Sequence, residues 1–565
     1  MYLKRCLSIV LAILVIGITV LAGCGEPEET TSPTATTPTE TTPTATTPTA
    51  TTPTKTPTST TPTATEPSGP PSGGILNAVV TAGPAMMSYR GQMGPSDATY
   101  VMPAVEFLVE PYVDEQGNRG WIPFLCESYD IDAEGKAFTF NLRKGVKFHD
   151  GSTMNADVVK WNIQQQIDCG WFQDADKVTS IETPDDYTVV INFTEYSNQY
   201  EFNWGWTAIY SKQSWMDATG GSDDTTSEDG IAWAVDHVVG TGPFVLKEYK
   251  RDVSMTWEKF DDYWQEGKPY LDGMEWKIIT EATTSSALLQ SGDIDLWYQG
   301  HSTLDWVELE AMGYHITTYW PGLPQAIFPN TTDPDSKWQD KRLREAMEYA
   351  LDREPMAQAL GLGYYVASTQ IAPETEWGYI PGLPTREFNP DKAKELLAEA
   401  GYGDGCPVTL LIQSVPVSVD AGEAIKGYLD QAGFICTLDI ADPGRFFGSV
   451  FGTGWEDTVQ MFYGMDVNYL ATYMSWFSSD PKSNLASFQR TDKQLAFDKE
   501  VVKIIDPAEQ RKATEEIMQH LYEEARFCPL WWTPAGTVEA PYVHHEIYRH
   551  GFIRVDWENV WMGPH

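Results

Sequence analysis

Residues 30–67 constrain this chain more than any other feature, because nothing in them can fold. They repeat Thr-Thr-Pro-Thr-Ala and hold no aliphatic side chain larger than alanine. Such a segment cannot bury enough apolar area to offset the entropy of ordering it. Recurrent proline biases it toward extended polyproline II geometry, and threonine adds solubility and possible O-glycan sites. At about 3.1 Å per residue the stretch reaches on the order of 100 Å. It reads as a stalk, so the folded part of the 565-residue chain lies beyond it. That remainder exceeds what one hydrophobic core supports, and two or three lobes are expected.

The residues before the stalk read as an export signal. Lys4 and Arg5 lead an uncharged apolar run over 7–22, closed by Leu21-Ala22-Gly23-Cys24. Leu-Ala-Gly-Cys resembles the lipobox of bacterial lipoproteins. That resemblance implies cleavage before Cys24, acylation of its thiol and anchoring to the membrane through lipid. The competing reading is a transmembrane helix with a chance cysteine, for which the run is short against the usual span of about 20 residues.

Asp and Glu number 80 against 38 Lys and Arg, a formal charge of −42 at pH 7. A surface of that sign repels nucleic acid and anionic lipid, so neither is expected as a partner. A preference for cationic ligands is the sharper reading and a solvated surface the plainer one. Beyond Cys6 in the signal and Cys24 at the anchor stand Cys126, Cys169, Cys406, Cys436 and Cys528. Their number is odd, and one disulfide is compatible with a location outside the cytoplasm, its connectivity left open. No CxxC pair and no metal-ligand spacing occurs, so no metal or cofactor is expected.

Past residue 75 strand and helix patterns alternate, the signature of α/β lobes. Phe138, Phe140 and Leu142 alternate with polar neighbours, as do Tyr187, Val189, Ile191 and Phe193, which predicts two half-buried strands. Asp150-Gly151 predicts a turn. The spacing of Leu343, Ala346, Met347, Ala350 and Leu351 predicts one helix over 341–354, capped by Asp340. A second helix is predicted over 390–400, with Asn389 as cap, Pro390 in its first turn and Gly401 as its stop. Gly240-Thr241-Gly242-Pro243 suggests a sharp turn between lobes, and Gly292-Asp293 a turn between a helix over 284–290 and a strand over 294–298.

The order of the segments then carries a family resemblance. The run 127–162, ESYDIDAEGKAFTFNLRKGVKFHDGSTMNADVVKWN, resembles the signature region of the family 5 extracellular solute-binding proteins, the dipeptide- and oligopeptide-binding type. It is followed in family order by VGTGPFVLKEY at 239–249, Tyr263-Trp264 with GKPYLD at 267–272, and SGDIDL at 291–296. RLREAMEYALDR at 342–353 and NPDKAKELLAEAGY at 389–402 complete the series. The resemblance implies a two-lobed α/β fold of the large periplasmic-binding-protein type, with an extra domain inserted in lobe I. Lobe I is expected at 74–100, 240–325 and 525–565, the inserted domain at 101–239 and lobe II at 326–524, after a signal at 1–23 and a stalk at 24–73. It further implies a monomer that encloses a small solute, a peptide above all, by hinge closure, and hands it to the permease and ATPase of an ABC importer.

In the peptide-binding members an aspartate in a Gly-Trp-x-x-Asp-Tyr-type segment pairs with the ligand's α-ammonium. The similar stretch here is 461–469, which puts Asp466 at the acidic position. The stacking Trp is missing, and Phe462, Tyr463 or Tyr469 would replace it. Arg445 is the candidate for a ligand carboxylate, against the plainer role of a surface ion-pair partner. Trp204, Trp206, Trp531 and Trp532 are candidate stacking walls or core residues, and Tyr89 a further candidate contact. No enzyme is expected. A glycoside hydrolase would need a carboxylate pair singled out by context, and His544-His545-Glu546 with His550 misses the helical H-E-x-x-H spacing. A ligand sensor on the same fold, or a non-peptide solute such as a glycan, opine or metal chelate, remains the alternative.

Overall fold

The computed structural model describes residues 70–93, 97–113, 119–132, 134, 136–464, 468–479, 484–545 and 555–564. The expected signal, Cys24, the Thr/Pro repeats and Asp466 lie outside the described residues. No helix among them is long and apolar enough to cross a membrane.

Two long antiparallel strands, His315–Pro329 and Cys528–Glu539, form the centre of the fold. They pair from His315 opposite Glu539 to Tyr319 opposite Ala535, then slip, and resume with Leu323 opposite Thr533. Gly322 sits in the slip at φ 73°, where a Cβ would meet the Thr533 carbonyl oxygen at 2.2 Å. Only glycine fits there. On one side of the slip the sheet continues from Cys528–Glu539 through Leu296–Trp297, Ile75–Val80, Gly273–Ile278, Ser254–Lys259 and Phe244–Lys250. On the other it continues from His315–Pro329 through Thr458–Phe462, Cys406–Gln413 and Phe434–Ala441. One eleven-stranded sheet thus changes partners at its middle.

Parallel neighbours need a crossover, and helix Pro416–Gln431 supplies it between Cys406–Gln413 and Phe434–Ala441. Its Ala421, Ile425 and Leu429 recur every four residues and are buried on the sheet. A separate four-stranded antiparallel sheet, in the order Cys126–Ile131, Ala137–Leu142, Thr188–Phe193, Val178–Asp185, has its own core. Phe138, Phe140 and Leu142 are buried while their neighbours stay half-exposed, as the alternation predicts.

The single helix expected over 341–354 is two helices, Lys341–Tyr349 and Arg353–Gly361. Outside donors take the carbonyls that would have continued the first one. Asn389 N–H donates to Tyr349 O at 2.8 Å, and the Arg353 guanidinium donates to Glu348 O and Leu351 O. The other caps follow the prediction: Asp340 accepts from Arg342 N–H, Asn389 from Lys392 N–H, and Gly401 stands at φ 93°. Cys126, Cys406, Cys436 and Cys528 are buried free thiols, so none of these four forms the disulfide that the cysteine count allowed.

The chain bends at 241–243 as predicted, and Gly240 and Gly242 meet a second need there. Neither has a positive φ. Their backbone runs directly against 103–105, with Gly242 N–H donating to Ala104 O at 3.0 Å and Phe244 N–H to Pro103 O at 2.9 Å. A Cβ on Gly242 would lie 2.6 Å from Pro103 O, a backbone atom that cannot swing aside. Gly242→Ala is therefore expected to cost about 1–3 kcal/mol through overpacking, read as a lower urea midpoint with an unchanged slope.

The small sheet's region also meets the far half of the large one. Asn198 donates its backbone N–H to Val502 O and its side-chain Nδ2 to Val501 O, both at 2.8 Å. Val501 ends helix Asp492–Val501, and Asn198 begins helix Gln199–Trp206. The N-terminal end of one helix thus meets the C-terminal end of the other, and Asn198 takes up two of the carbonyls left free there. Asn198 Oδ1 also accepts from Gln199 Nε2 at 2.7 Å. Asn198→Ala removes these side-chain bonds at a buried joint, and a loss of about 1–3 kcal/mol is expected in equilibrium unfolding.

Candidate functional site

The slip in the crossing strands opens onto a cavity of about 230 Å³. Gln325 and Thr533 reach it from the two crossing strands, with Trp531 beside them. Gln460, Met461 and Phe462 line it from the end of Thr458–Phe462. Period-2 alternation sends Trp531 toward this face and its neighbour Trp532 to the opposite one. Val366–Ala367 pairs with Trp532 and Trp531, which holds the Tyr365 ring within 10° of parallel to Trp531, centroids 6.5 Å apart. Burial raises the Tyr365 hydroxyl pKa, so the ring enters the site neutral.

The polar groups form a short neutral array. Gln460, 4% exposed, donates Nε2 to Gln325 Oε1 at 2.8 Å. Thr533 Oγ1 donates to Leu323 O at 2.9 Å, bracing the slip itself. Gln413 closes its strand at the cavity, and Val417, Ser418 and Ala421 of helix Pro416–Gln431 form the adjoining wall. That helix starts after Val415, whose side chain offers its first-turn N–H groups no acceptor. Next to the cavity, Tyr364 donates to Glu310 Oε2 at 3.0 Å and packs edge-on to Trp306 at 4.8 Å. Glu310 and Trp306 belong to helix Thr303–Ala311, so this contact joins the cavity wall to the other half of the sheet.

Of the residues singled out in the sequence, Phe462 and Trp531 come together in this cavity. Tyr463 and Tyr469 lie in the core behind it, hydroxyls 2.9 Å apart and both bonded to Ile371 O. Trp532 is buried in the same core as Phe328 and Phe527. Trp204 packs inside the four-stranded sheet's core, and Trp206 packs against the core around Ile75–Val80. Tyr89 stacks on Trp215 at 6.2 Å. Arg445 is gripped by Asp439 through two bonds of 2.9 and 2.6 Å, so an internal carboxylate occupies the fork expected to meet a ligand. Among the described residues no three His, Cys, Asp or Glu side chains gather as a metal site.

The glutamines were not among the residues singled out. Their signal is a lone polar residue in a strand otherwise fit for burial: Gln460 in Thr-Val-Gln-Met-Phe, Gln413 after Leu-Leu-Ile, and Gln325 before Ala-Ile-Phe. Buried amides need partners, and placing them is costly unless something uses them.

A family model described as bacterial extracellular solute-binding proteins, family 5 middle, matches residues 120–494. The chain belongs to that family. The family 5 chain is 29% identical to heme-binding protein A of Haemophilus influenzae over 325 residues, 53% of this chain and 57% of that protein. It thus spans a little over half the length of that relative. It is 25% identical to the glutathione-binding protein GsiB of Salmonella paratyphi A over 426 residues, 72% of this chain and 79% of that one. The solved structure of the periplasmic binding protein DppA from Helicobacter pylori, in complex with the peptide STSA, superposes with a TM-score of 0.71 at 21% identity, covering 87% of this chain and 98% of DppA. The architecture is the two-lobed α/β fold of periplasmic binding proteins.

Proposed function

We propose that this family 5 protein is a lipid-anchored substrate-binding protein that delivers a small solute, a peptide first of all, to the permease and ATPase of an ABC importer. The observation that carries the reading is the cavity at the slip of the two crossing strands, the joint about which two lobes would close. Lobe I then comprises 74–100, 240–325 and 525–565, the inserted domain 101–239 and lobe II 326–524. Cys24 carries the lipid and the Thr/Pro segment is the spacer from the membrane. Similarity to a glutathione-binding protein favours a peptide, since glutathione is one; similarity to a heme-binding protein favours a planar, largely apolar solute as the second reading.

A thermal-shift screen of the protein against di- to pentapeptides, glutathione, heme and an opine tests this. A ligand at 100 times its dissociation constant adds about 2.7 kcal/mol of stability. A shift with a peptide and none with the others is expected; a shift with only heme or an opine overturns the peptide reading. Radiolabelled palmitate is expected to label the protein in cells and to be lost in Cys24→Ser, and labelling that survives the substitution refutes the anchor.

A further inference from the structure

We infer that the cavity at the strand slip takes an uncharged planar group of the solute, aromatic or amide-bearing, and excludes charged ones. The inference rests on the cavity being the solute site and deepens that reading by naming the chemistry of what enters it. The residues lining it carry three side-chain amides, on Gln325, Gln413 and Gln460, three hydroxyls, on Ser418, Thr533 and Tyr365, and the Trp531 indole N–H. Charged residues are 21% of the chain, yet none of the described lining residues is one. Trp531 and Tyr365 supply near-parallel ring faces, and Phe446 and Phe462 add apolar walls.

Two physical arguments turn this lining into selectivity. An ammonium or carboxylate entering such a cavity would leave water and meet no opposite charge among the described lining residues, which is costly. An amide or an aromatic ring meets no such cost. The bond from Gln460 Nε2 to Gln325 Oε1 fixes both amides, leaving Gln325 Nε2 to donate and Gln460 Oε1 to accept. That pair is complementary to another amide. A group that carries amide and ring together matches both features of the lining.

The test uses three small probes on one phenylalanine frame, compared at pH 5.5: N-acetylphenylalaninamide, which is neutral, N-acetylphenylalanine, an anion with carboxylate in place of the amide, and phenylalaninamide, a cation with a free ammonium in place of the acetamide. Binding is read by saturation-transfer NMR on the whole protein. The neutral probe is expected to bind at least tenfold more tightly than either charged one. Its signal is expected to vanish in Val417→Trp, which fills the cavity from a position 54% exposed and so leaves the fold intact. Gln460→Glu is expected to shift preference at least tenfold toward the cation. Equal or tighter binding of a charged probe overturns the inference, as does no binding by any probe or binding unaffected by Val417→Trp. Failure of the peptide reading looks different: the neutral probe binds and no peptide shifts melting.

Discussion

Arg386→Met is expected to destabilise the protein by about 3–5 kcal/mol, the range for removing one partner of a buried ion pair. The Arg386 guanidinium, nearly inaccessible, bonds Glu348 Oε1 and Glu345 Oε1 at 3.1 Å each and Tyr522 O at 2.9 Å, and it lies 4.5 Å over the Tyr522 ring. It thereby ties the segment before Asn389 to helices Lys341–Tyr349 and Pro507–Glu523. Glu348 is 1% exposed, so losing its cation strands a carboxylate away from water. The double variant Arg386→Met with Glu348→Leu is expected to recover most of the loss, because removing both charges removes the desolvation that the pair has to offset. Urea unfolding of the two single variants and the double one reads this coupling directly. A double variant no more stable than Arg386→Met would show that the guanidinium's bonds to backbone and ring, rather than the charge pair, hold this joint.

The second large effect is a loss of stability as pH rises through neutrality. Glu106 is 4% exposed and accepts from Thr241 Oγ1 and Tyr263 OH at 2.7 Å and from Trp264 Nε1 at 3.0 Å. Removal from water dominates these three donors and raises its pKa from 4.5 to about 8. The folded state therefore holds a proton that the unfolded chain releases at ordinary carboxylate pH. Below about pH 4.5 both states are protonated and the full stability is present; between 4.5 and 8 it falls; above 8 the loss is complete. At 1.36 kcal/mol per pKa unit the whole window is worth about 5 kcal/mol at most. Melting temperature is expected to decline from pH 5.5 to 8, where surface carboxylates are already ionised and Glu106 contributes alongside Glu201, Glu348 and Glu558, whose carboxyls burial raises to about 7, 7 and 8. Glu106→Gln is expected to lower stability at pH 5.5, since the amide NH₂ confronts an indole donor, yet to make the decline shallower by the share that Glu106 contributes. A wild-type slope that survives in Glu106→Gln would place its origin elsewhere.

Glu106 also marks the limit of what the sequence discloses. The segments 239–249 and 263–272 were legible as ordered markers of a family fold, and strand alternation and helix caps placed most elements between them. That Thr241, Tyr263 and Trp264 converge on one carboxyl is a fact of long-range packing, and local periodicity carries no trace of it. The split near residue 350 was hidden for the same reason: Asn389 and the Arg353 guanidinium decide it by taking carbonyls that spacing alone would assign to the helix. In the candidate site, Phe462 was legible as a replacement for the missing stacking Trp, and Trp531 as a core or stacking residue after a crossing. Tyr463, Tyr469 and Trp532 were equally plausible in sequence; Trp532 falls on the opposite side of its strand from Trp531, while Tyr463 follows strand Thr458–Phe462 and Tyr469 opens helix Tyr469–Trp476, both in the core. The glutamines were missed because a neutral amide has no motif; its meaning comes from burial.

The slipped strand pair has a consequence for how this molecule comes into being. Strand Cys528–Glu539 pairs with residues near 296, 315–327 and 366, and Ile75–Val80 waits for partners at 273–278 and 296–297. A chain growing from its N terminus lacks the middle of its sheet until almost all of it has been made. Both halves keep open edges until that last strand arrives, and long-range pairing of this kind is slow. Such a delay suits a family described as extracellular, because its members complete their large sheet only after almost all of the chain is made.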